Sequence, residues 1–221
     1  MTERGMIFNS EMVRAILDGR KTQTRRVMNV QPESNQFGLL HITSSTKRSD
    51  IGKYHWAESN ATGNHVRSKL FSCPFGSVGD RIWVRETWQA IHDYCDENGH
   101  VDERRYARSI PRHRGNYWHP VYEESWGNEN REDREFPWRP SIHMPRWASR
   151  ILLEITDVRV ERLRSMSQDD ARAEGVIAAS GPMEAGLAFR ELWDSIYGEE
   201  SWKANPWVWV IEFKRVEGGT A

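Results

Sequence analysis

Hydrophobic residues recur at helical spacing near the start of the chain, at Met12, Val13, Ile16 and Leu17. Ser10 precedes this run and is a residue type that caps helix N-termini, while Gly19 is a typical C-terminal stop. The pattern therefore predicts an amphipathic helix that is capped by Ser10 and ends before Gly19.

Alternation of apolar and polar residues predicts strands in three further stretches, 21–30, 81–88 and 151–163. A fourth stretch, 207–213, is continuously apolar and rich in β-branched and aromatic residues. That composition and length are typical of a buried strand. Strands are therefore expected to outnumber helices.

Two more helices are predicted in the last third of the chain. Ser167 followed by Asp170 has the spacing of a capping box, and Gly175 is expected to end that short helix. A longer amphipathic helix, ended by Gly198, is predicted from the spacing of Phe189, Leu192, Trp193 and Ile196.

Two long stretches, 31–70 and 91–145, lack a sustained period. The first is polar and is predicted to be a surface insertion, whereas the second is predicted to be an irregular insertion with a few short strands. The aromatic residues of the second stretch argue for order, because disordered segments are poor in them. We therefore predict a single domain over 1–221, of α+β class, built around a curved sheet or small barrel and carrying both insertions.

Composition narrows the classes of function. A formal net charge of -1 and a mean hydropathy of -0.77 exclude a uniformly basic nucleic-acid binder but allow local basic patches. Cys73 and Cys95 lack paired spacing, so neither a disulfide framework nor a zinc ribbon is expected, and a cytoplasmic location is predicted. No apolar run approaches the roughly 20 residues that span a bilayer, so no membrane role is expected.

The stretch 19–26 concentrates polar chemistry at the end of the first helix, with one lysine, two threonines and three arginines. Gln23 and Arg25 are expected on one face of the following strand, and the other face is expected to hold Thr22, Thr24 and Arg26. This density of polar side chains indicates a site. The alternative is that basic residues at a helix C-terminus stay solvated and complement the helix dipole.

Four blocks of sequence occur in a fixed order: Gly-Arg-Lys-Thr-Gln-Thr-Arg-Arg at 19–26, Gly-Asp-Arg-Ile-Trp-Val-Arg-Glu at 79–86, Asp-Ala-Arg-Ala-Glu-Gly at 170–175, and the strand at 208–213. In this combination the chain resembles the ASCH domain family. The resemblance implies a PUA-like fold, a small β-barrel with flanking helices, and leaves both insertions outside the minimal domain. The chain is most similar to longer members with insertions of this kind, which look like proteins encoded by phages and prophages of enteric bacteria.

A shorter bacterial group within this family hydrolyses N4-acetylcytidine, and its catalytic positions match Lys21, Thr24 and Glu174. The resemblance therefore implies an amidohydrolase that acts on an acylated cytidine without a metal or other cofactor. Thr24 would be the nucleophile or orient water, Lys21 would accept the proton, and Glu174 would orient Lys21 or relay the proton. On spacing alone, Glu174 is instead a solvated carboxylate near a helix end.

Five further residues are candidate substrate contacts. Arg26 would stabilise an oxyanion or bind a phosphate, and Thr22 belongs to the same motif. Trp83 would stack on a base, Arg85 would hold a carbonyl or a phosphate, and Glu86 would lie at the mouth of the cleft. The alternatives are a core position for Trp83 and a solvated carboxylate for Glu86.

Two other functions stay open from the sequence: binding of RNA or a modified base without chemistry, and a metal-dependent ribonuclease activity of the kind attributed to some ASCH proteins. A basic and aromatic patch supports RNA binding, and it comprises Arg104, Arg105, Tyr106, Arg108, Arg112, Arg114, Tyr117 and Trp118. A salt-bridged surface would explain the same residues. The spacings of histidine and cysteine do not match the standard zinc pairs.

Overall fold

The computed structural model describes residues 1–58, 66–113, 115, 117–127, 129–177, 181 and 184–216. These residues form ten strands: β1 (Glu3–Ile7), β2 (Gln23–Val27), β3 (Phe37–His41), β4 (Tyr54–Glu58), β5 (Arg81–Arg85), β6 (Trp88–Cys95), β7 (Val101–Tyr106), β8 (His119–Tyr122), β9 (Leu152–Arg162) and β10 (Trp207–Arg215). They also form six α-helices: α1 (Ser10–Leu17), α2 (Glu123–Trp126), α3 (Arg131–Arg134), α4 (Gln168–Ala173), α5 (Glu184–Tyr197) and α6 (Glu199–Ala204). The predicted α+β class is confirmed. No described helix has both the length and the apolar character needed to cross a membrane.

The main sheet has five strands in the order β1-β5-β9-β10-β2. β1 runs parallel to β5, and every other neighbouring pair is antiparallel. The end strands β1 and β2 do not pair with each other in the described part of the chain, so the sheet does not close into a barrel. A side chain connects them instead, because Arg26 Nη2 donates a hydrogen bond to the carbonyl oxygen of Ile7 at 2.7 Å.

Strand β10 separates two hydrophobic cores, which confirms the buried strand predicted at this position. Trp209 and Ile211 belong to the larger core, which also takes in the buried face of α1. Val208 and Val210 belong to a second core that packs against α4 and α5. Because successive strand residues point to opposite faces, one apolar strand serves both cores.

The first helix forms where the apolar spacing predicts it, but its cap is a different residue. Asn9 is the N-cap, since its side-chain oxygen accepts a hydrogen bond from the backbone N–H of Met12 at 2.8 Å. Ser10 is the first helical residue, and its hydroxyl donates to Glu123 Oε2 at 2.7 Å. The predicted Ser10 cap is therefore wrong, because a long-range partner occupies that hydroxyl.

The insertion 31–70 contributes to the larger hydrophobic core as well as to the surface. It contains the antiparallel hairpin β3–β4, and Trp56 of β4 is fully buried in the larger core. The indole N–H of Trp56 donates to the carbonyl oxygen of Val30 at 3.1 Å. The expectation of a surface insertion is wrong for this hairpin, because Trp56 is buried in the larger core and Phe37, Leu39 and Tyr54 pack against it.

The insertion 91–145 contains few regular elements, as predicted. Strand β6 begins just before it and pairs with both β7 and β8, which gives a separate three-stranded sheet. Trp88 of β6 lies in a third hydrophobic cluster with Met144 and Ala148. The short helices α2 and α3 also lie in this insertion. The prediction from its aromatic residues, that the insertion 91–145 is ordered, therefore agrees with these elements.

Candidate functional site

Lys21 and Glu174 form a buried pair at the centre of the candidate site. Lys21 follows the turn after α1, and Glu174 is the C-cap residue of α4. The Lys21 Nζ donates to Glu174 Oε2 at 2.8 Å and to the Glu174 carbonyl oxygen at 2.8 Å. Both residues are buried. A solvated Glu174 carboxylate, the alternative from spacing alone, is therefore wrong, and the two matched motif positions lie in direct contact.

The local fold brings this pair together through backbone contacts between two distant segments. Lys21 and Glu174 form an isolated antiparallel bridge, and the Thr22 N–H donates to the carbonyl oxygen of Ala173 at 2.9 Å. Gly175 comes next with a φ of +89°, and a Cβ there would lie 2.7 Å from the Cβ of Ala15 and 2.8 Å from that of Lys21. Only glycine allows α1, Lys21 and the end of α4 to approach this closely.

Replacing Gly175 with alanine is expected to destabilise the protein more than the same change at Gly19. Both positions have positive φ, which costs a non-glycine residue about 1–2 kcal/mol. A Cβ at Gly19 meets nothing within 4 Å, whereas one at Gly175 collides with Ala15 and Lys21, at a further cost of about 1–3 kcal/mol. Urea denaturation of both variants measures the difference, and equal losses would contradict the close approach.

Arg25 is the second partner of Glu174. Its Nη1 donates to Glu174 Oε1 at 3.2 Å and its Nη2 to Glu161 Oε2 at 3.2 Å. The Arg25 side chain has no exposed surface. Each carboxylate oxygen of Glu174 therefore accepts from a different cation. The motif alone does not single out Arg25, but strand alternation places it on the same face as Gln23, opposite Thr24 and Arg26.

Asp170 anchors α4 to the sheet beside this pair. The predicted capping box is confirmed, since Ser167 and Asp170 exchange side-chain to backbone hydrogen bonds. Gln23 Nε2 donates to Asp170 Oδ1 at 3.2 Å, and Arg159 Nη2 donates to the same oxygen at 3.0 Å. Partial burial raises the pKa of Asp170, but hydrogen bonds from Ser167 and the charge of Arg25 outweigh it and lower the pKa to about 2. The helix that carries Glu174 is thus fixed by an ionised carboxylate.

Burial sets the proton affinity of Lys21. Removal from water disfavours the ammonium and lowers the pKa below 10.5, although the charge of Glu174 acts in the opposite direction. The nearby positive charges of Arg26 and Arg25 lower the pKa further. The amine of Lys21 therefore loses its proton more readily than a lysine in water, which suits a group that accepts and returns a proton.

A cleft of about 590 Å³ opens between α1 and α5 with Glu174 and Gly175 in its wall. We call this space the cleft. Helix α1 contributes Met12 and Arg14, and α5 contributes Ala188, Leu192 and Ser195, among others. A small cavity of about 20 Å³, which we call the recess, shares three wall residues with the cleft, namely Met12, Glu174 and Leu192. Thr24, Arg25 and Arg26 complete its polar wall.

Lys21, Thr24 and Glu174 thus come together, since Thr24 and Glu174 line the same recess and Lys21 contacts Glu174. Arg26 also lines the recess, and its guanidinium lies 5.3 Å from the centre of the Phe8 ring. Thr22 is exposed and precedes β2, which begins at Gln23. The motif at 19–26 therefore supplies three of the ten residues that line the recess, namely Thr24, Arg25 and Arg26.

Three of the predicted substrate contacts lie away from the cleft and the recess, namely Trp83, Arg85 and Glu86. Trp83 packs against the third hydrophobic cluster, with the guanidinium of Arg85 5.4 Å from its ring centre. Arg85 Nε donates to the carbonyl oxygen of Ser141 at 3.2 Å. These residues are not among those that line the cleft or the recess. The packing of Trp83 agrees with the alternative of a core position.

Glu86 is buried rather than solvated or at a cleft mouth. Its two carboxylate oxygens accept from Arg150 Nε at 3.0 Å and Nη2 at 2.9 Å. Burial raises the pKa of Glu86, while the paired guanidinium lowers it to a smaller extent. Arg150 also binds Glu124, which in turn accepts from Arg14 at 3.5 Å. Glu86 therefore helps to connect the second insertion to the α1 wall of the cleft.

The described residues include no group of three or more His, Cys, Asp or Glu side chains placed to hold a metal ion. Comparisons with protein-family models, curated proteins and solved structures found no match to this chain.

Proposed function

We propose that the chain is an ASCH-type, PUA-like domain that hydrolyses the amide bond of an acylated cytidine such as N4-acetylcytidine. The observation that carries this proposal is the buried Lys21–Glu174 pair at the cleft, with Thr24 in the wall of the adjoining recess. These three residues occupy the positions that match the catalytic motif, although Lys21 and Glu174 are 153 positions apart in sequence. Thr24 and Glu174 share the wall of the recess, and Lys21 lies behind Glu174 in direct contact with it, which favours a shared task.

The chemistry requires a nucleophile, a proton acceptor and a group that returns the proton to the leaving nitrogen. The hydroxyl of Thr24, or a water that it orients, attacks the acyl carbon while the neutral amine of Lys21 accepts the proton. The C–N bond then breaks as Lys21 returns that proton to N4 of the cytosine. When Thr24 itself attacks, water hydrolyses the resulting ester in a second step. Glu174 holds the ammonium form of Lys21 in place.

The size and wall of the cleft suit a nucleoside. Its volume of about 590 Å³ lies in the range of roughly 300–1,000 Å³ typical of small-molecule sites. Acidic and basic side chains both line it, including Glu11, Arg14, Arg20 and Glu191. Mixed charges of this kind fit a neutral, polar nucleoside better than a chain of phosphates.

The proposal is tested by incubating the purified protein with N4-acetylcytidine and separating the products by chromatography. Cytidine and acetate are expected in equal amounts, at many turnovers per protein molecule. A reaction without protein gives the spontaneous rate. Absence of cytidine above that rate, at a substrate concentration well above micromolar, would contradict the proposed activity.

RNA binding is the second candidate, because aromatic and arginine side chains meet on the second insertion. Tyr117 is 71 % exposed, its ring stacks on His92 at 5.4 Å, and His92 contacts the ring of Tyr94 at 4.2 Å. The guanidinium of Arg105 lies 4.1 Å from the centre of the Tyr94 ring. Such surfaces bind single-stranded bases by stacking. Arg105 also pairs with Glu103 at 2.7 Å, so the salt-bridged alternative holds for that residue.

The two candidates differ in their response to salt. A single-stranded RNA ligand that contacts Z phosphates loses affinity with a log–log slope of about -0.7Z, whereas turnover of an uncharged nucleoside changes little. Titration of a labelled single-stranded RNA at several salt concentrations measures that slope, and gel analysis of the RNA shows whether it is cleaved. A flat response would count against RNA binding, and intact RNA would count against the ribonuclease alternative. Arg114, a member of the predicted basic patch, lies outside the described residues.

A further inference from the structure

We propose that the recess is an acyl-binding site that admits an acetyl group and excludes longer acyl chains. The proposal rests on the amidohydrolase function above and names which acylated cytidines the site accepts. It follows from the volume of the recess, the packing of Trp193 in its apolar wall and the position of Thr24 in its polar wall.

The volume of the recess limits its occupant to one small group. A cavity needs roughly 10–15 Å³ to hold a single water molecule, and the recess measures about 20 Å³. One methyl group therefore fills it after slight adjustment of its wall, whereas a propyl chain or a phenyl ring has no room. The methyl group of an acetyl substituent is the occupant of matching size.

Trp193 is a buried residue of the apolar wall, and its packing limits how far that side of the recess can move aside for a larger group. Trp193 lies in this wall between two other aromatic rings, 5.9 Å from the centre of Phe189 and 4.4 Å from that of Tyr197. The Trp193 indole N–H also donates to the Ser201 hydroxyl at 3.2 Å. Packed aromatic side chains with a satisfied polar atom resist displacement, and overfilling such a space is costly.

The polar wall offers what an acyl group needs besides space for its methyl. Thr24 supplies a hydroxyl to this wall, and Glu174, which also lines it, accepts a hydrogen bond from Lys21. The side chains of Arg25 and Arg26 close this wall, and their Nε–H groups are enclosed rather than open to the recess. The polar wall therefore places the Thr24 hydroxyl beside the space that the methyl group would fill.

Leu192 is the residue that sets the length limit. It belongs to the wall of both the cleft and the recess, so its side chain lies where the two spaces adjoin. Replacing Leu192 with alanine is expected to enlarge the recess on the side of the cleft. Ile196 also lines the recess and is 46 % exposed, so its replacement by alanine enlarges the same space with little risk to folding.

The test compares kcat/KM for N4-acetylcytidine, N4-propionylcytidine and N4-butyrylcytidine. For the parent protein we expect a fall of about tenfold or more at each added methylene. Leu192→Ala and Ile196→Ala are each expected to raise the butyryl-to-acetyl ratio by about tenfold. Leu187→Ala is the matched control, since Leu187 lies on the same helix, is 58 % exposed and lines neither the cleft nor the recess. The butyryl-to-acetyl ratio of this variant should equal that of the parent.

The outcomes separate this proposal from the function on which it rests. Turnover of acetyl and butyryl substrates at similar rates by the parent would overturn the size limit and leave the amidohydrolase function standing. Unchanged ratios in both enlarged variants would overturn the assignment of the recess. Absence of turnover with every acyl group would overturn the function and this proposal together.

Discussion

Replacing Glu174 with glutamine is expected to lower the free energy of unfolding by about 3–5 kcal/mol. The carboxylate accepts hydrogen bonds from Lys21 and Arg25 at 2.8 Å and 3.2 Å, and both cationic side chains are without exposed surface. Glutamine has nearly the same shape but no charge, and its amide nitrogen would face one of the two cations. Removing the shared counter-charge therefore takes from buried Lys21 its carboxylate partner and leaves Arg25 with its contacts to Glu161 and Asp170.

A matched control is available on the surface of the second insertion. Glu103 binds Arg105 through two hydrogen bonds, at 2.9 Å and 2.7 Å, but both side chains are more than half exposed. Glu103→Gln is therefore expected to leave stability nearly unchanged, because solvent screens such pairs. Urea denaturation of the parent and both variants gives the comparison. A loss for Glu174→Gln no larger than that for Glu103→Gln would show that the buried pair contributes little to stability.

Local sequence signals predicted the elements around the site well. The helix before Gly19, the capping box at Ser167 and the apolar strand near the end of the chain each depend on spacing within one segment, and each is present. Such signals work because helices and strands impose periods of their own on burial. Strand alternation separates Arg25 from Thr24 and Arg26, yet all three side chains line the recess, so alternation did not predict the composition of its wall.

Contacts between distant segments were harder to foresee. The sequence indicates neither that Arg25 shares Glu174 with Lys21 nor that Trp56 completes the core from within a polar insertion. The sequence around Glu86 does not indicate its burial against Arg150, because the two residues are 64 positions apart. In each case the partner is set by how the elements pack, which a local period does not encode. Lys21 and Glu174, by contrast, were selected by the resemblance to the ASCH motifs and not by the spacing of hydrophobic residues.

Replacing Lys21 with methionine is expected to lower the rate of N4-acetylcytidine hydrolysis by about 10²–10⁴-fold, the usual contribution of a positioned acid–base group. Methionine fills a similar volume without a charge, and Arg25 still neutralises Glu174, so the fold is expected to persist. Lys203→Met is the matched control, because Lys203 is 58 % exposed on α6 and pairs with Glu200 at 2.8 Å. That variant is expected to hydrolyse the substrate at the parent rate. Far-ultraviolet circular dichroism of both variants checks folding beside the rate measurement.

The pH dependence of the parent follows from the same residue. The neutral amine of Lys21 is the form that accepts a proton, so kcat/KM is expected to rise with pH as the ammonium form disappears. Because burial lowers the pKa of Lys21, the rise should level off below pH 10.5, the usual value for a lysine side chain. A rate that continues to rise through that pH would indicate direct attack by hydroxide instead. A Lys21→Met variant that keeps more than about a tenth of the parent rate would remove Lys21 from the chemistry and leave it a structural partner of Glu174.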